Sequence, residues 1–331
     1  MKKPKNHKTV VLFSMIIICL AVSPGFSQVP EIKLDKLKST MDDFANSLAL
    51  SLPFNSGLGL NWSDAHIQNF PHFGVGASVG LTTMKSGSFG DLLEEFDLDL
   101  PKELLAMGGL PIAGVALESR LGGFFLPFDV GFKISYLPIE ASTGKLNNFV
   151  VGGDFRYLIL KERAIVPAIS AGMGFNYMSG EYIRPIGTDR EINFLVGTAD
   201  HTLTLKKPTL NIDWSTASLD FKAQASKTIA FITPYFGIGA SNGWSKAGYN
   251  VETKIDDPDG ILQDAKRIFK GFGIEDLSSG GFSSEQAFTG WSFRTFGGFA
   301  FKIAVIRLDI TALYNFIDYN YGLSLGIRLQ L

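Results

Sequence analysis

The sequence predicts an all-β chain: a transmembrane, antiparallel, up-and-down β-barrel of 10–12 strands, preceded by an N-terminal amphipathic helix. Three observations carry that prediction. First, the final residues divide into an apolar set (Tyr321, Leu323, Leu325, Ile327, Leu329, Leu331) and a polar or small set (Asn320, Gly322, Ser324, Gly326, Arg328, Gln330). Successive side chains on a strand point to opposite faces, so one face is wholly apolar. The segment is also about as long as a tilted membrane-crossing strand, roughly 9–11 residues. Second, the same alternation recurs along most of the chain. Third, the 331 residues include 36 Gly and 28 Phe, with only 19% charged. That composition suits a β architecture whose outer surface meets something other than water. The formal net charge of −2 gives no case for nucleic acid or for a strongly basic membrane-surface patch.

Taken in order, the chain opens with the three parts of an export signal. Lys2, Lys3, Lys5 and Lys8 form a basic start, Val10 to Val22 an apolar core, and Gly25-Phe26-Ser27 a cleavage site, so residues 1–27 read as a signal peptide. The apolar run is shorter than the ~20 residues a spanning helix needs. Cys19, the only cysteine, lies in that core, and Ile16-Ile17-Ile18 before it argues against lipid attachment. The exported chain then has no cysteine, which excludes disulfides, thiol catalysis and cysteine-ligated metal. The expected location is the outer membrane of a bacterium with a two-membrane envelope.

Residues 28–55 read as a helix or plug segment. Leu34, Leu37, Met41, Phe44 and Leu48 recur at helical spacing across 31–50, with Lys33, Lys36, Lys38, Asp42 and Asp43 opposite. Leu37, Met41, Phe44 and Leu48 are the side chains expected to seat such a plug in the lumen or at its mouth. Asp42 and Asp43 point about 100° apart on a helix, which suits a solvated face better than a catalytic pair. Asn55-Ser56-Gly57 is a turn, and the barrel is assigned to 56–331.

Clear alternating runs begin at Phe73, Phe128, Phe149, Ile165, Leu210, Phe236, Trp291, Ile306 and Tyr321. Leu210, Ile212 and Trp214 have the opposite parity to Leu219 and Phe221, so a bulge near Ser215-Thr216 is expected to restore the face. The strand count is set at ten; segments 57–63 and 191–205 would raise it to twelve. Connections near 84–109, 180–207 and 244–287 are long and are placed outside, whereas Lys161-Glu162-Arg163 is a tight turn.

In such a barrel the polar parity lines the lumen. That assigns Lys133, Arg156, Lys222, Arg294, Lys302, Arg307 and Arg328 to the interior, opposite Asp129, Asp154, Asp220 and Asp309. Buried charges of mixed sign pair, so a network that fills a small lumen is weighed against a conducting filter. His66, His72 and His201 have no nucleophile and carboxylate in a recognisable arrangement, so no catalytic residues are assigned. The 256–260 run, Asp-Asp-Pro-Asp-Gly, fails the EF-hand template and is a turn. An amphipathic helix is expected at 261–269. No cofactor or metal is called for.

The signal, the amphipathic helix, the Asn-Ser-Gly turn and the run Phe-Pro-His-Phe-Gly-Val-Gly-Ala-Ser-Val-Gly at 70–80 resemble the start of uncharacterised bacterial outer-membrane barrel families. More distantly they are similar to hydrophobic-solute outer-membrane transporters, whose N-terminal segment plugs the lumen. Barrels of this class mostly end in Phe, where this chain has Leu331. The resemblance implies a monomer embedded in outer-membrane lipid and inserted by the barrel assembly machinery. Two functions are carried forward. One is passive passage or binding of a small solute, hydrophobic ones included, through the lumen. The other is a non-conducting structural or adhesion barrel that acts through its external loops.

Overall fold

The computed structural model describes residues 34–84, 110–141, 144–185, 189–196, 199–252, 255–256 and 282–331. One helix, α1 (Leu34–Ser56), precedes the strands β1 (His72–Met84), β2 (Leu110–Gly122), β3 (Phe128–Ala141), β4 (Gly144–Leu160) and β5 (Ala168–Pro185). Then come β6 (Arg190–Val196), β7 (Ala199–Leu205), β8 (Thr209–Ser226), β9 (Ile232–Glu252) and β10 (Ile255–Asp256). The chain finishes with β11 (Phe282–Ile303), β12 (Ile306–Asn315) and β13 (Tyr321–Gln330). Among the described residues, ten strands pair with their chain neighbours in an antiparallel meander, and β13 closes the barrel against β1 from Gly74↔Gln330 to Thr82↔Gly322. Strands β6, β7 and β10 form a separate three-stranded sheet. The expected strand at 191–205 is therefore a hairpin outside the wall.

The polarity of the wall runs opposite to that of a soluble sandwich. Leu323, Leu325, Ile327 and Leu329 are each about half exposed on the outside, while Ser324, Arg328 and Gln330 are buried within. An outward face of Leu, Ile, Val and Phe suits an apolar surrounding, as in outer-membrane-type barrels. Tyr136, Tyr177, Trp244, Trp291, Tyr314 and Tyr321 mark its upper edge, each partly exposed or flanking an exposed neighbour. Short turns at 123–127, 161–167, 227–231 and 304–305 share one end with His72 and Leu331. The strand ends Met84, Leu110, Pro185, Thr209, Glu252 and Phe282 lie at the other end.

Four strands rise past the aromatic edge, and there the two faces exchange character. On β9 the outward residues above Trp244 are Lys246, Asn250 and Glu252, whereas Ala247, Tyr249 and Val251 are buried inside. On β8, Leu210 and Ile212 point inward and Asp213 outward. This corrects two sequence expectations. Strand β8 pairs without interruption with both neighbours, so there is no bulge at Ser215-Thr216. Residues 180–185, 244–252 and 282–287 are strand rather than loop. The inversion has one physical cause: outside the lipid the outer face meets water, and at the same level the inner face meets α1.

The helix runs six residues past its expected end, to Ser56, where Gly57 N–H donates to the Phe54 carbonyl at 3.1 Å and Leu58 N–H to Asn55 at 3.2 Å. Segment 57–63 is not a strand. It descends inside the barrel, so the wall begins at His72 rather than at residue 56. Strand β2 was not among the alternating runs found in the sequence. The signal peptide, most of the 84–109 connection, the turn after Asp256 and the helix at 261–269 lie outside the described residues. Ile327 lies between Ala77 and Leu308 near the middle of the apolar belt. Ile327→Arg is expected to cost about 2–4 kcal/mol in urea unfolding from lipid vesicles, and Leu331→Arg, at the belt's edge, about 0–1 kcal/mol. Equal costs at the two depths would contradict the placement of the belt.

Candidate functional site

The lumen is filled from one end to the other, by two different chemistries. Its long-loop half is apolar. Met41, Phe44, Ala45, Leu48, Ala49 and Leu52 of α1 pack with Met84, Met178, Leu210, Ile212, Ala247, Tyr249 and Val251 of the wall. Burying side chains of this size is worth roughly 1.5–3 kcal/mol each. Leu37 lies in the first turns of the same helix. One turn further on, Phe54 joins Tyr235, Phe296 and Leu313. Pro53 reaches β9 only because residue 243 is glycine; a Cβ there would lie 2.3 Å from the proline ring. Asp42 accepts a hydrogen bond from the Tyr249 hydroxyl at 2.9 Å, and Asp43 is exposed, so the two carboxylates do not act as a pair.

The short-turn half is charged, and its charges hold main chain. Lys133 Nζ donates to the carbonyls of Ser56 (2.7 Å) and Leu58 (2.6 Å). Lys222 donates to the Leu60 carbonyl at 2.9 Å, Gln224 to that of Trp62 at 3.0 Å, and Arg156 to that of Asp64 at 2.8 Å. In the other sense, Glu118 accepts from the Leu60 amide at 2.9 Å and the Trp62 indole at 2.7 Å, and a hydroxyl hydrogen bond from Ser78 completes its shell. An irregular segment has no ladder to satisfy its peptide groups, so a buried one needs such partners. The left-handed backbone at Gly59 (φ 86°) and Leu60 (φ 56°) turns the segment so that both carbonyls and an amide meet the wall.

Two of these holding groups, Arg156 and Lys222, are themselves ion-paired, within a wider network. Arg120 bridges Asp129 and Asp154, Arg156 forks onto both oxygens of Asp129 at 3.0 and 2.6 Å, and Lys222 also reaches Asp154. Arg307 meets Asp64 at 2.9 Å, while Arg328 contacts Asp309 and donates to the Ser63 hydroxyl at 2.9 Å. Arg294 sits with Asp220 and Ser241. The Trp62 ring lies between two guanidiniums, 5.3 Å from Arg120 and 4.7 Å from Arg328, and rests on Gly74, where a Cβ would come within 2.6 Å. Cation–π contacts in so dry a setting reach about 2 kcal/mol.

Of the eleven wall residues assigned to the lumen, Asp129, Lys133, Asp154, Arg156, Asp220, Lys222, Arg294, Arg307, Asp309 and Arg328 belong to this network. Lys302 does not. It pairs with Arg307 on the penultimate rung of the β11–β12 ladder but sits exposed at the short-turn rim, because parity gives a face and not a depth. The sequence reading missed Glu118 and Arg120, both on β2, and Asp64, on an irregular segment. The clue to the first two was the alternation of Glu118 and Arg120 with Leu117 and Leu121. Cavities beside Trp62 and beside Lys133 each offer about 20 Å3, enough for about one water. His66 is half-buried at the short-turn mouth; burial pushes its imidazole below the ordinary value, against the pull of Glu162 and Asp64. His72 contacts Asp129 at 3.3 Å, and His201 lies on β7, outside the wall.

Glu118→Ala leaves two buried donors, the Leu60 amide and the Trp62 indole, without an acceptor. At about 1–3 kcal/mol each, a loss of roughly 2–6 kcal/mol is expected in unfolding from lipid vesicles, with protease cleavage newly exposed between 57 and 67. A loss below about 1 kcal/mol with no new cleavage would mean that Glu118 does not hold the segment.

No curated protein matches the chain. The translocator domain of the autotransporter NalP from Neisseria meningitidis aligns over 92% of this chain and 100% of its own, at 6% identity and TM-score 0.29. The monoaromatic hydrocarbon channel TodX, as a deltaS2 mutant, aligns over 78% and 88% at 8% identity and TM-score 0.24. The monoaromatic hydrocarbon channel CymD does so over 86% and 91% at 7% and 0.21. Similarity at this level says nothing about activity, and the fold rests on the strand pairing above. One family model matches across residues 112–331, from β2 to the last residue. The chain therefore belongs to the family of unknown function DUF6588.

Proposed function

We propose that this protein is a bacterial outer-membrane barrel that is closed to ions and water-soluble solutes and works through its long-loop end. The observation that carries this reading is the filled lumen: a helix occupies one half, and a clamped main-chain segment the other. A filter that conducts needs a continuous wet path, and the charges here are spent on peptide groups and on one another. Strands β5, β8, β9 and β11 stand above the apolar belt as a tall wall with α1 against its inner side. Lys38, Ser39, Asp43 and Asn46 of the helix remain exposed there. Such a platform suits contact with a partner, while the resting barrel stays sealed. Lipid around the belt and the barrel assembly machinery are its expected partners in the envelope.

The same geometry makes α1 begin on the long-loop side while the chain finishes on the short-turn side. In intact cells, Ser39→Cys is expected to react with a membrane-impermeant maleimide, whereas Ile165→Cys on a short turn is expected to react only after lysis. The reverse pattern would invert the orientation. In planar bilayers the refolded wild type should be silent, and a variant lacking 34–67 should show discrete conductance steps. Steady steps from the wild type would sink the sealed-barrel reading.

A second reading, binding of a small apolar solute, is favoured by a break in the wall between β2 and β3.

A further inference from the structure

Among the described residues, and apart from the upper part of β11 that rises past β12, the barrel is closed by hydrogen-bonded ladders except along part of one seam. Strand β1 pairs with β2 over its whole length, from His72↔Gly122 to Met84↔Leu110. Strand β3 pairs with β4 from Phe128↔Tyr157 to Ala141↔Gly144. Between β2 and β3, however, the ladder runs only from Gly122↔Asp129 to Leu117↔Ile134. Residues 110–116 and 135–141 continue as strands without pairing across the seam among the described residues. The depth of the break follows from the registers. Leu117 is level with Ala77, which pairs with Ile327, and Ile112 is level with Thr82, beside Gly322. The seam therefore opens in the half of the apolar belt nearer the long-loop end, where an open sheet edge is costly unless something covers it or it lines a cavity.

A cavity does lie behind it. Its lining includes Leu58 from the plug segment and Ile112, Val115, Val150 and Met178 from the wall. Its width comes from small residues on β2: Leu58 packs into the space that a Cβ at Gly114 would occupy, at 2.4 Å, and Ala116 follows. Asn55, Thr82, Ser135 and Asn148 also line the cavity, and two of their polar atoms have no hydrogen-bond partner. They are Oδ1 of Asn55, on the last turn of α1, and Oγ of Ser135, on the free edge of β3. Each residue is 5% exposed. Unpaired buried polar atoms of this kind are uncommon and call for a reason. The Asn55 amide nitrogen already donates to Ser51 at 3.3 Å, which fixes the carbonyl oxygen as the atom left over. The cavity offers about 20 Å3, the room of one water-sized group, and its lining includes residues from both sides of the seam, Ile112 to Ala116 on β2 and Ser135 on β3.

We propose that this seam is a lateral binding site for a neutral single-chain amphiphile taken from the outer leaflet. Its small hydroxyl head enters the cavity, donating to Asn55 Oδ1 and bonding Ser135 Oγ. Its chain lies between β2 and β3 in contact with lipid. A carboxylate head does not fit, since the leftover Asn55 atom is an acceptor and would repel it. The proposal rests on the solute-binding reading and does not require that the solute cross the lumen, so a sealed, silent barrel is compatible with it.

The test uses an alkyl-diazirine derivative of octanol as a photolabel on the full-length protein refolded in phosphatidylcholine vesicles, with adducts mapped by peptide mass spectrometry. Saturable labelling is expected on 110–116 and 135–150, competed by octanol and not by octanoate at pH 8. Ala116→Leu, which fills the cavity, should reduce that labelling at least tenfold. Ser135→Ala, which keeps the shape, should weaken it severalfold while lipid-facing labelling near Leu325 is unchanged. Heat-modifiable migration on gels checks that both variants are folded, and Ser135→Ala alone decides if Ala116→Leu is not. Labelling spread evenly around the belt, or labelling at the seam that is indifferent to Ser135→Ala and to competitor, would overturn the site. Passage is read separately, by transfer of octanol into vesicles, so a barrel that binds without transporting is distinguishable from one that does not bind.

Discussion

The rest of the structure depends on how residues 57–67 are held. A peptide segment with no secondary structure is buried in a dry interior, where each unpaired amide or carbonyl costs free energy comparable to a lost hydrogen bond. The wall answers with Lys133, Lys222, Gln224 and Arg156 as donors and Glu118 as acceptor. Ions at that depth need partners, so Arg156 is matched by Asp129 and Lys222 by Asp154, while the Lys133 ammonium is held by the Ser56 and Leu58 carbonyls. The mixed charge of the lumen is thus the counterpart of the segment it clamps. Remove the segment and the cations face one another and water; remove one anion and two cations lose their partner.

The helix depends on the same clamp from the other side. Its apolar stripe has a partner only because the wall above the belt turns its apolar residues inward. The register that delivers Leu210, Ile212, Tyr249 and Val251 to that place also puts polar residues outside, in water. One inversion of facing therefore does two jobs. It ends the lipid-facing belt and builds the seat for α1, which keeps the helix start at the long-loop end. The wall is tall where it carries the helix, at β5, β8, β9 and β11, and low at β12 and β13, where the strands have 10 residues each.

Much of the wall was readable in the sequence because lipid imposes period two on every spanning strand. The Tyr321–Leu331 alternation and the Gly-Phe runs needed no other information. What the sequence hid follows a physical pattern. Strand β2 was missed because Gly114 and Ala116 make room for Leu58 inside while Ala113 is small on the other face, and small residues blur an alternation. The expected bulge on β8 came from assuming that the apolar face is always the lipid face, which fails where a plug packs inside. Lys302 shared the parity of the lumen residues but not their depth. Asp64 sits on an irregular segment where no period exists. Met41, Phe44 and Leu48 stood out because the plug is a helix and keeps its spacing even inside a barrel.

The most direct measurement joins plug to wall by a covalent bond. The Ser56 and Ser218 hydroxyls lie 3.2 Å apart, one at the end of α1 and the other on β8. No other cysteine competes once residues 1–27 are removed. The double variant Ser56→Cys/Ser218→Cys, produced in cells and extracted under mild oxidation, is predicted to form this disulfide nearly completely in the folded barrel, while each single variant keeps a free thiol. A folded, heat-modifiable barrel in which both thiols stay free would mean that the segment does not lie in the lumen, and would contradict the account.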